Sequence, residues 1–215
     1  MPPRASTLCP TTVQRLVRYR DYVREVRRVA GRGTVSSSEL SAFVNCESSL
    51  VRRDFAAIGC TGKPRVGYRI GRTMACLERA LGLCVPRTAV LFGVGRLGSF
   101  LLEQDWWGQV GVRFVAAFDA DPARTGRRHG GVEVLPFAEV AGRLRALGTP
   151  ELAILAVHAG PAQACVDAAV AGGVLAIWTF APRPLLAPAR VMVRYENPVA
   201  GLTGLLCSLS RSAGI

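Results

Sequence analysis

Lysine is nearly missing from this 215-residue chain, where Lys63 stands alone among 27 basic residues. The rest is arginine, whose planar fork donates two parallel hydrogen bonds and so suits phosphate oxygens and guanine edges. Histidine is scarce as well. His129 and His158 are the only two, which leaves little material for a histidine metal site or a proton relay. Seven cysteines (Cys9, Cys46, Cys60, Cys76, Cys84, Cys165, Cys207) include no C-x-x-C pair. That argues against a zinc site and a thioredoxin-like motif. The dispersed thiols read instead as reduced, buried small hydrophobes. No apolar run reaches the ~18 to 20 residues of a membrane helix, and no signal-peptide pattern opens the chain. The expectation is a soluble, cytoplasmic protein with no metal.

The charge that is present is unevenly placed. Residues 1–84 hold 15 basic against 6 acidic side chains, a net of +9, whereas residues 85–215 hold 12 against 9, a net of +3. Arginine-rich codon usage explains arginine over lysine, but not this crowding, which points to a polyanion partner for the N-terminal part. After a frayed arm over residues 1–10, Val13, Leu16, Val17, Val23 and Val26 recur near a helical period, predicting a helix over 12–29. Ser36 with Glu39 is a capping box. It opens a short helix carrying Leu40, Phe43 and Val44 on its apolar side. A turn then leads to a third helix over 48–58. Val51, Phe55 and Ile58 form its inner face, and Ser48, Ser49, Arg52 and Arg53 its outer one. The basic, turn-rich stretch 61–68 reads as a β-hairpin. Together these make a winged helix-turn-helix, with the third helix entering the major groove. Residues 72–84 close the domain.

From Pro86 the pattern changes to alternating strands and helices, the signature of a parallel sheet wrapped by helices. Strands are expected over 88–92, 114–118, 132–134, 152–157 and 174–179, with a last one over 191–195. Gly93-Val94-Gly95-Arg96-Leu97-Gly98 lies between the first strand and a helix reaching Leu102, and Asp119 follows 21 residues after its last glycine. That placement is what a dinucleotide needs. Gly93 permits the tight turn, Gly95 a close approach of pyrophosphate to the helix N-terminus, and Gly98 tight helix–strand packing. Asp119 would accept from ribose hydroxyls and repel a 2′-phosphate, which favours NAD(H), although Arg124, Arg127 and Arg128 nearby oppose that preference. His158 ends the strand 152–157, where general acid/base work is conceivable, but a cofactor contact is the simpler role. Only about twenty residues follow the sheet, too few for a substrate domain. The chain therefore reads as a regulator rather than an enzyme. The alternatives are a small NAD(P)-dependent oxidoreductase with a basic N-terminal extension, and a repressor whose ligand is not a dinucleotide.

The segments RLVRYRDYV (15–23), TVSSSELSAFV (34–44), SLVRRDFAAIG (49–59), GKPRVGY (62–68), VLFGVGRLGSFLL (90–102), VAAFDADPARTGRRHGGVEV (115–134), ILAVHAGPAQ (154–163), TFAPRPLLAP (179–188) and AGLTGLL (200–206) together resemble the redox-sensing transcriptional repressor family Rex. The resemblance covers nearly the whole chain. It implies a winged helix-turn-helix over 1–84, a Rossmann NAD(H) domain over 85–195 and a C-terminal helix over 196–215 swapped between the subunits of a homodimer. It further implies binding to a palindromic double-stranded DNA operator and release when NADH replaces NAD+. Ser48, Ser49, Arg52 and Arg53 would serve the recognition helix, and Lys63, Arg65 and Tyr68 the wing. Gly93, Val94, Gly95, Arg96, Leu97, Gly98, Asp119, Ala120 and Arg124 would hold the dinucleotide. Val157, His158, Ala159, Phe180, Ala181 and Pro182 would lie near its nicotinamide side.

The chain departs from the family pattern mostly at the sensor. Arg96 stands where asparagine is usual, Gln104 where tyrosine is common, and His158 where a proline follows the fourth strand. Before the terminal helix the chain reads Glu196-Asn197-Pro198-Val199, without the family's Asp-Phe pair. That aspartate would reach the first helix's arginine across the dimer, so Arg15 is expected to be left without its usual partner. In the wing, Arg65 replaces a typical glycine. These changes predict retained DNA binding and an NADH discrimination that is weakened or replaced.

Overall fold

The computed structural model describes residues 8–212 and divides between Val85 and Pro86 into two compact units. Residues 1–7 of the expected N-terminal arm lie outside the described residues.

The N-terminal unit contains helices α1 (Pro10–Glu25), α2 (Ser37–Val44), α3 (Ser48–Ala57) and α4 (Ile70–Ala80), and short strands β1 (Thr34–Val35) and β2 (Tyr68–Arg69). Proline at the first position of α1 forfeits no helical hydrogen bond. The helix continues past Glu25 only as a wide π-type turn, Val26–Ala30, which Gly31 ends at φ 58°. Beyond Val26 no side chain of this segment is buried, so nothing holds a regular helix there. The capping box forms. Ser36 Oγ accepts from Glu39 N–H at 3.1 Å and Glu39 Oε2 accepts from Ser36 N–H at 2.7 Å, a contribution of about 1 kcal/mol. Leu16, Tyr19 and Val23 from α1 meet Leu40, Val51, Phe55 and Leu77 in a single core. Phe43, expected on the inner side of α2, is instead 48% exposed. Its ring lies 4.9 Å from that of Tyr22, and the Arg18 guanidinium stands 6.0 Å above it. The predicted hairpin is also smaller than expected. Only Lys63 and Gly67 bridge each other, and Tyr68 and Arg69 pair with Val35 and Thr34 instead.

The second unit contains β3 (Arg87–Phe92), α5 (Arg96–Glu103), β4 (Val112–Asp119), β5 (Arg128–His129), β6 (Val132–Pro136), α6 (Val140–Ala146), β7 (Leu152–Leu155), α7 (Ala162–Ala171), β8 (Ala176–Thr179), β9 (Met192–Tyr195) and α8 (Pro198–Ser212). Its sheet runs in the order β5-β6-β4-β3-β7-β8-β9, parallel throughout except for the antiparallel edge strand β5. Without that edge strand the order is that of a doubly wound dinucleotide-binding fold. Ala89 to Phe92 of the central strand are fully buried. Alternate residues face opposite sides. Val90 and Phe92 pack with Leu144 of α6 and Val166 of α7, whereas Leu91 packs with Leu101 and Leu102 of α5. Strands β7 and β8 stop at Leu155 and Thr179, so the residues after them are free to form loops at one sheet edge. The sequence reading did not anticipate β5 or the short turn Asp105–Val110 that carries Trp106 and Trp107. Helix α8 exposes Val199, Leu202, Leu205, Leu206 and Leu209, each more than half accessible. Among the described residues, no helix is long and apolar enough to cross a membrane.

Candidate functional site

Strand order reverses between β4 and β7, on either side of β3, and in open parallel sheets ligands bind at that crevice. Gly93 leaves β3 at φ +89°, and a Cβ there would stand 2.8 Å from the Ala156 carbonyl oxygen after β7. Gly95 caps α5 and borders open space, with only Arg124 Nη1 at 3.8 Å from where a Cβ would sit. A Cβ on Gly98 would drive into the Gly93 carbonyl oxygen, so the loop and helix can only pack this closely without a side chain. The first N–H groups of α5 have no acceptor within the helix and carry its positive dipole end, a ready anion site.

A cavity of about 270 Å³ opens at this edge, close to the small end of ligand-site volumes. Buried Phe92, Phe118 and Cys165 supply its inner wall, and exposed Ala120, Arg124 and His158 its rim. A second hollow of about 350 Å³ adjoins it, sharing Asp119, Ala120 and Phe137. Asp119 is 7% exposed and already committed. Its Oδ2 accepts from the Val94 N–H at 2.6 Å and from Arg124 Nη1 at 3.3 Å, and its Oδ1 accepts from the Asp121 N–H at 2.9 Å. Burial pushes this carboxyl up, but the two backbone donors and the Arg124 guanidinium outweigh it and hold the group below its ordinary value. Arg124 also pairs with Asp121 at 3.3 Å. Burial pushes the Cys165 thiol up to about 12, which keeps it protonated and apolar. His158 Nδ1 accepts from the Gly160 N–H at 3.3 Å, so in the neutral ring the proton sits on Nε2.

Of the expected dinucleotide residues, Gly93, Gly95, Asp119, Ala120, Arg124, Val157 and His158 line the cavity. Val94 and Gly98 act through backbone and packing. Arg96 and Leu97 lie exposed on α5. Phe180 does not line the cavity: its ring packs 4.6 Å from Trp178. Ala181 is buried with its N–H on Thr179 Oγ1 at 3.1 Å, Pro182 is exposed, and the Ala159 carbonyl accepts from Arg183 Nη1 at 3.4 Å. The sequence reading missed Phe92, Phe118, Phe137, Ala156, Pro161 and Cys165. The first two are the apolar residues closing strands that lead into the site, a position that could have marked them.

The second candidate site is the outer surface of the N-terminal unit. Arg52 and Arg53 are exposed on α3, with Arg52 Nη1 at 3.3 Å from Ser48 Oγ and 3.4 Å from Ser37 Oγ. Ser49 Oγ donates to Glu47 Oε2 at 2.9 Å. A groove of about 490 Å³ runs between Arg52 and the wing residues Lys63 and Arg65. Gly67, at φ +86°, is pressed against the Val35 carbonyl, which would lie 2.5 Å from a Cβ. Arg65 holds φ 62°, a left-handed conformation that costs a side-chain-bearing residue about 1 kcal/mol or more. Tyr68, expected to face outward, is only 8% exposed. Its ring meets Phe55 edge-on at 4.6 Å and fills the space beside Gly62, so it anchors the wing to α3 from inside. Arg15 finds a partner within its own N-terminal unit. Its Nε and Nη2 clasp the two carboxylate oxygens of Asp54 on α3 at 2.7 and 2.8 Å. That bond to Asp54 raises the Arg15 pKa further. The buried Tyr19 hydroxyl donates to Asp54 at 3.1 Å.

Residues 8–56 match a family described as putative DNA-binding protein N-terminus, and residues 86–183 match the CoA binding domain family. The chain is 37% identical to the redox-sensing transcriptional repressor Rex of Chloroflexus aggregans, over 88% of this chain and 90% of that protein. It is 39% identical to Rex of Rhodopirellula baltica, over 78% of this chain and 71% of that protein. Among solved structures, RSP, a Rex-family repressor, in complex with beta-NAD+ and operator DNA superposes with a TM-score of 0.85 at 26% identity, covering 96% of this chain and 94% of that one. RSP in complex with beta-NADH gives 0.84 at 25% identity, covering 96% of both chains. A winged helix joined to a doubly wound nucleotide-type sheet is the plan of a ligand-responsive transcriptional regulator. The chain belongs to the Rex family of redox-sensing transcriptional repressors.

Proposed function

We propose that this chain is a cytoplasmic homodimeric repressor that binds NAD(H) in the cavity beside Gly93 and Asp119 and binds a palindromic operator through α3 and the wing. The observation that carries this reading is the pairing of two sites in one chain: a cavity at the sheet's switch point, and a basic surface formed by Arg52, Arg53, Lys63 and Arg65. The relative RSP has been seen with beta-NAD+ and operator DNA together. The five exposed apolar residues of α8 support a dimer in which this helix packs on a second copy. The protein regulates without turning over a substrate. Next to the cavity, His158 already accepts a backbone hydrogen bond through Nδ1, and nothing there favours the oxidoreductase reading.

The redox response is weaker than in an ordinary redox sensor. A ligand shifts a two-state equilibrium only by its differential affinity for the two states, and the sensor departs from the family pattern at Arg96, Gln104 and His158. Gln104 Nε2 is turned onto the Phe100 carbonyl at 3.0 Å. Operator binding measured at fixed salt with added NADH or NAD+ tests this. The expected result is tight, salt-sensitive DNA binding with a small difference between the two cofactors. Full release by NADH at ordinary sensitivity refutes the weakened switch, and failure to bind NADH refutes the cavity assignment.

A further inference from the structure

Two buried thiols share the core cluster of the N-terminal unit, away from the dinucleotide cavity. Cys60 follows α3, and its N–H donates to the Phe55 carbonyl at 2.8 Å, which ties its backbone to the recognition helix. Thr73 and Cys76 lie three residues apart on the buried side of α4. The Cys60 thiol stands 3.8 Å from Thr73 Oγ1, and Cys76 follows one helical turn later on the same buried side of α4. Both cysteines are free and buried, 3% and 7% exposed. Tyr68, the wing's anchor, belongs to the same cluster.

We propose that Cys60 and Cys76 form an oxidisable dithiol whose closure to a disulfide weakens operator binding, a thiol-based redox input separate from the dinucleotide cavity. The oxidant class is a peroxide. One sulfur attacks the O–O bond and becomes a sulfenic acid as water leaves. The second thiol then attacks that sulfur, the S–S bond forms, and a second water leaves. Two thiols and one hydrogen peroxide thus give one disulfide and two waters, with two electrons passing from sulfur to oxygen. A disulfide holds its two sulfurs about 2.05 Å apart, closer than unbonded thiols can stand. The end of α3 must therefore move toward α4, and the ring so closed contains the whole wing, residues 61–67. Burial pushes Cys60 up to about 12, so attack waits on fluctuations that expose the pair. The response is slow and reads sustained rather than transient oxidant.

The effect on DNA rests on the DNA-binding reading; the bond itself does not. The test uses the full chain with the exposed Cys9, Cys84 and Cys207 replaced by serine, treated with hydrogen peroxide. Peptide mapping after alkylation reads the bond. Anisotropy reads binding to a duplex selected from a random library by the reduced protein. The expected result is a Cys60–Cys76 linked peptide and an operator affinity lowered about tenfold, the effect of misplacing one base-reading side chain. Dithiothreitol should reverse both, and Cys76→Ala should abolish both. Cys60→Ala serves as the second variant, with circular dichroism confirming that each is folded. Oxidation confined to other cysteines, or a linked peptide with unchanged affinity, overturns the proposal. A reduced protein that selects no duplex overturns the DNA-binding reading and the proposed consequence with it, while the peptide map still decides whether the bond forms.

Discussion

Replacing Asp54 with alanine removes a carboxylate that is 5% exposed and accepts three hydrogen bonds, two from Arg15 and one from Tyr19. Breaking a buried ion pair by deleting one partner costs about 3 to 5 kcal/mol, because the other charge is left without compensation. Here the Arg15 side chain keeps 22% of its surface in water. Its stranded charge is partly hydrated, so the lower end, about 3 kcal/mol, is expected. Tyr19 adds little, since its hydroxyl retains the Cys46 thiol at 3.7 Å as a weak partner. Against a domain stability of about 5 to 15 kcal/mol this is a large fraction. The loss falls on α3, which carries Asp54 between Arg53 and Phe55.

The assay must report on the N-terminal unit alone. The chain's tryptophans, Trp106, Trp107 and Trp178, all lie in the second unit, so intrinsic indole fluorescence is blind to this change. Amide hydrogen exchange in α3 is the suitable measurement. Its protection should fall about a hundredfold in Asp54→Ala, the equivalent of about 3 kcal/mol, and by less in Asp54→Asn, which keeps one acceptor oxygen. Arg15→Met alone should be as damaging, and the Arg15→Met/Asp54→Leu pair less than the sum of the two singles. Protection in Asp54→Ala within about threefold of the parent would refute the reasoning and reduce the Arg15–Asp54 clasp to an incidental surface contact.

Three further outcomes follow from the same geometry. Arg65→Gly should relieve the left-handed strain and stabilise the N-terminal unit by about 1 kcal/mol, while lowering the salt slope of operator binding by about one counterion; thermal melts and salt titrations read the two effects separately. Gly98→Ala places a Cβ against the Gly93 carbonyl, and NADH affinity measured by fluorescence should drop by about one to two orders of magnitude, the usual span for overpacking. Asp119 is held below the ordinary aspartate value in the folded chain, so its contribution is full above that value and lost as pH falls through the folded one. Tryptophan-monitored unfolding should therefore weaken more steeply below about pH 4 in the parent than in Asp119→Asn.

Local signals carried most of the fold. The Ser36–Glu39 cap, the spacing of Val51, Phe55 and Ile58, and the glycine loop between an apolar run and a helix each depend on residues a few positions apart. Such short-range chemistry survives into the structure. The misses share a different cause. Phe43 sits at a position whose helical phase predicts burial, yet Tyr22 and Arg18 cover it from a neighbouring helix only in part. The wing reads as a self-contained hairpin because 61–68 is rich in turn residues. The strand that completes it comes from Thr34 and Val35, thirty residues upstream, and no local pattern announces that pairing. Tyr68 follows from the same fact, since pairing with Val35 turns its ring inward onto Phe55.

The candidate site shows where sequence motif and side-chain commitment part. Residue types and spacing placed Gly93, Gly95, Gly98 and Asp119 at one loop, because the backbone requirement of each glycine is intrinsic to it. What Asp119 does is decided by partners that spacing does not reveal. A free carboxylate at the end of β4 would be open to two ribose hydroxyls. Here Oδ2 holds the Val94 N–H and faces Arg124, and Oδ1 holds the Asp121 N–H. A carboxylate offers about four lone-pair sites, so Oδ1 still has acceptor capacity and Oδ2 regains it when Arg124 leaves. A ribose can therefore join the two backbone bonds without breaking them, provided Arg124 gives up its contact with Oδ2. Arg124 is 45% exposed and also paired with Asp121, so its movement costs little. Of the three donors on Asp119 the exposed arginine is thus the one that can move, and the aspartate singled out by the motif is the fixed point beside it.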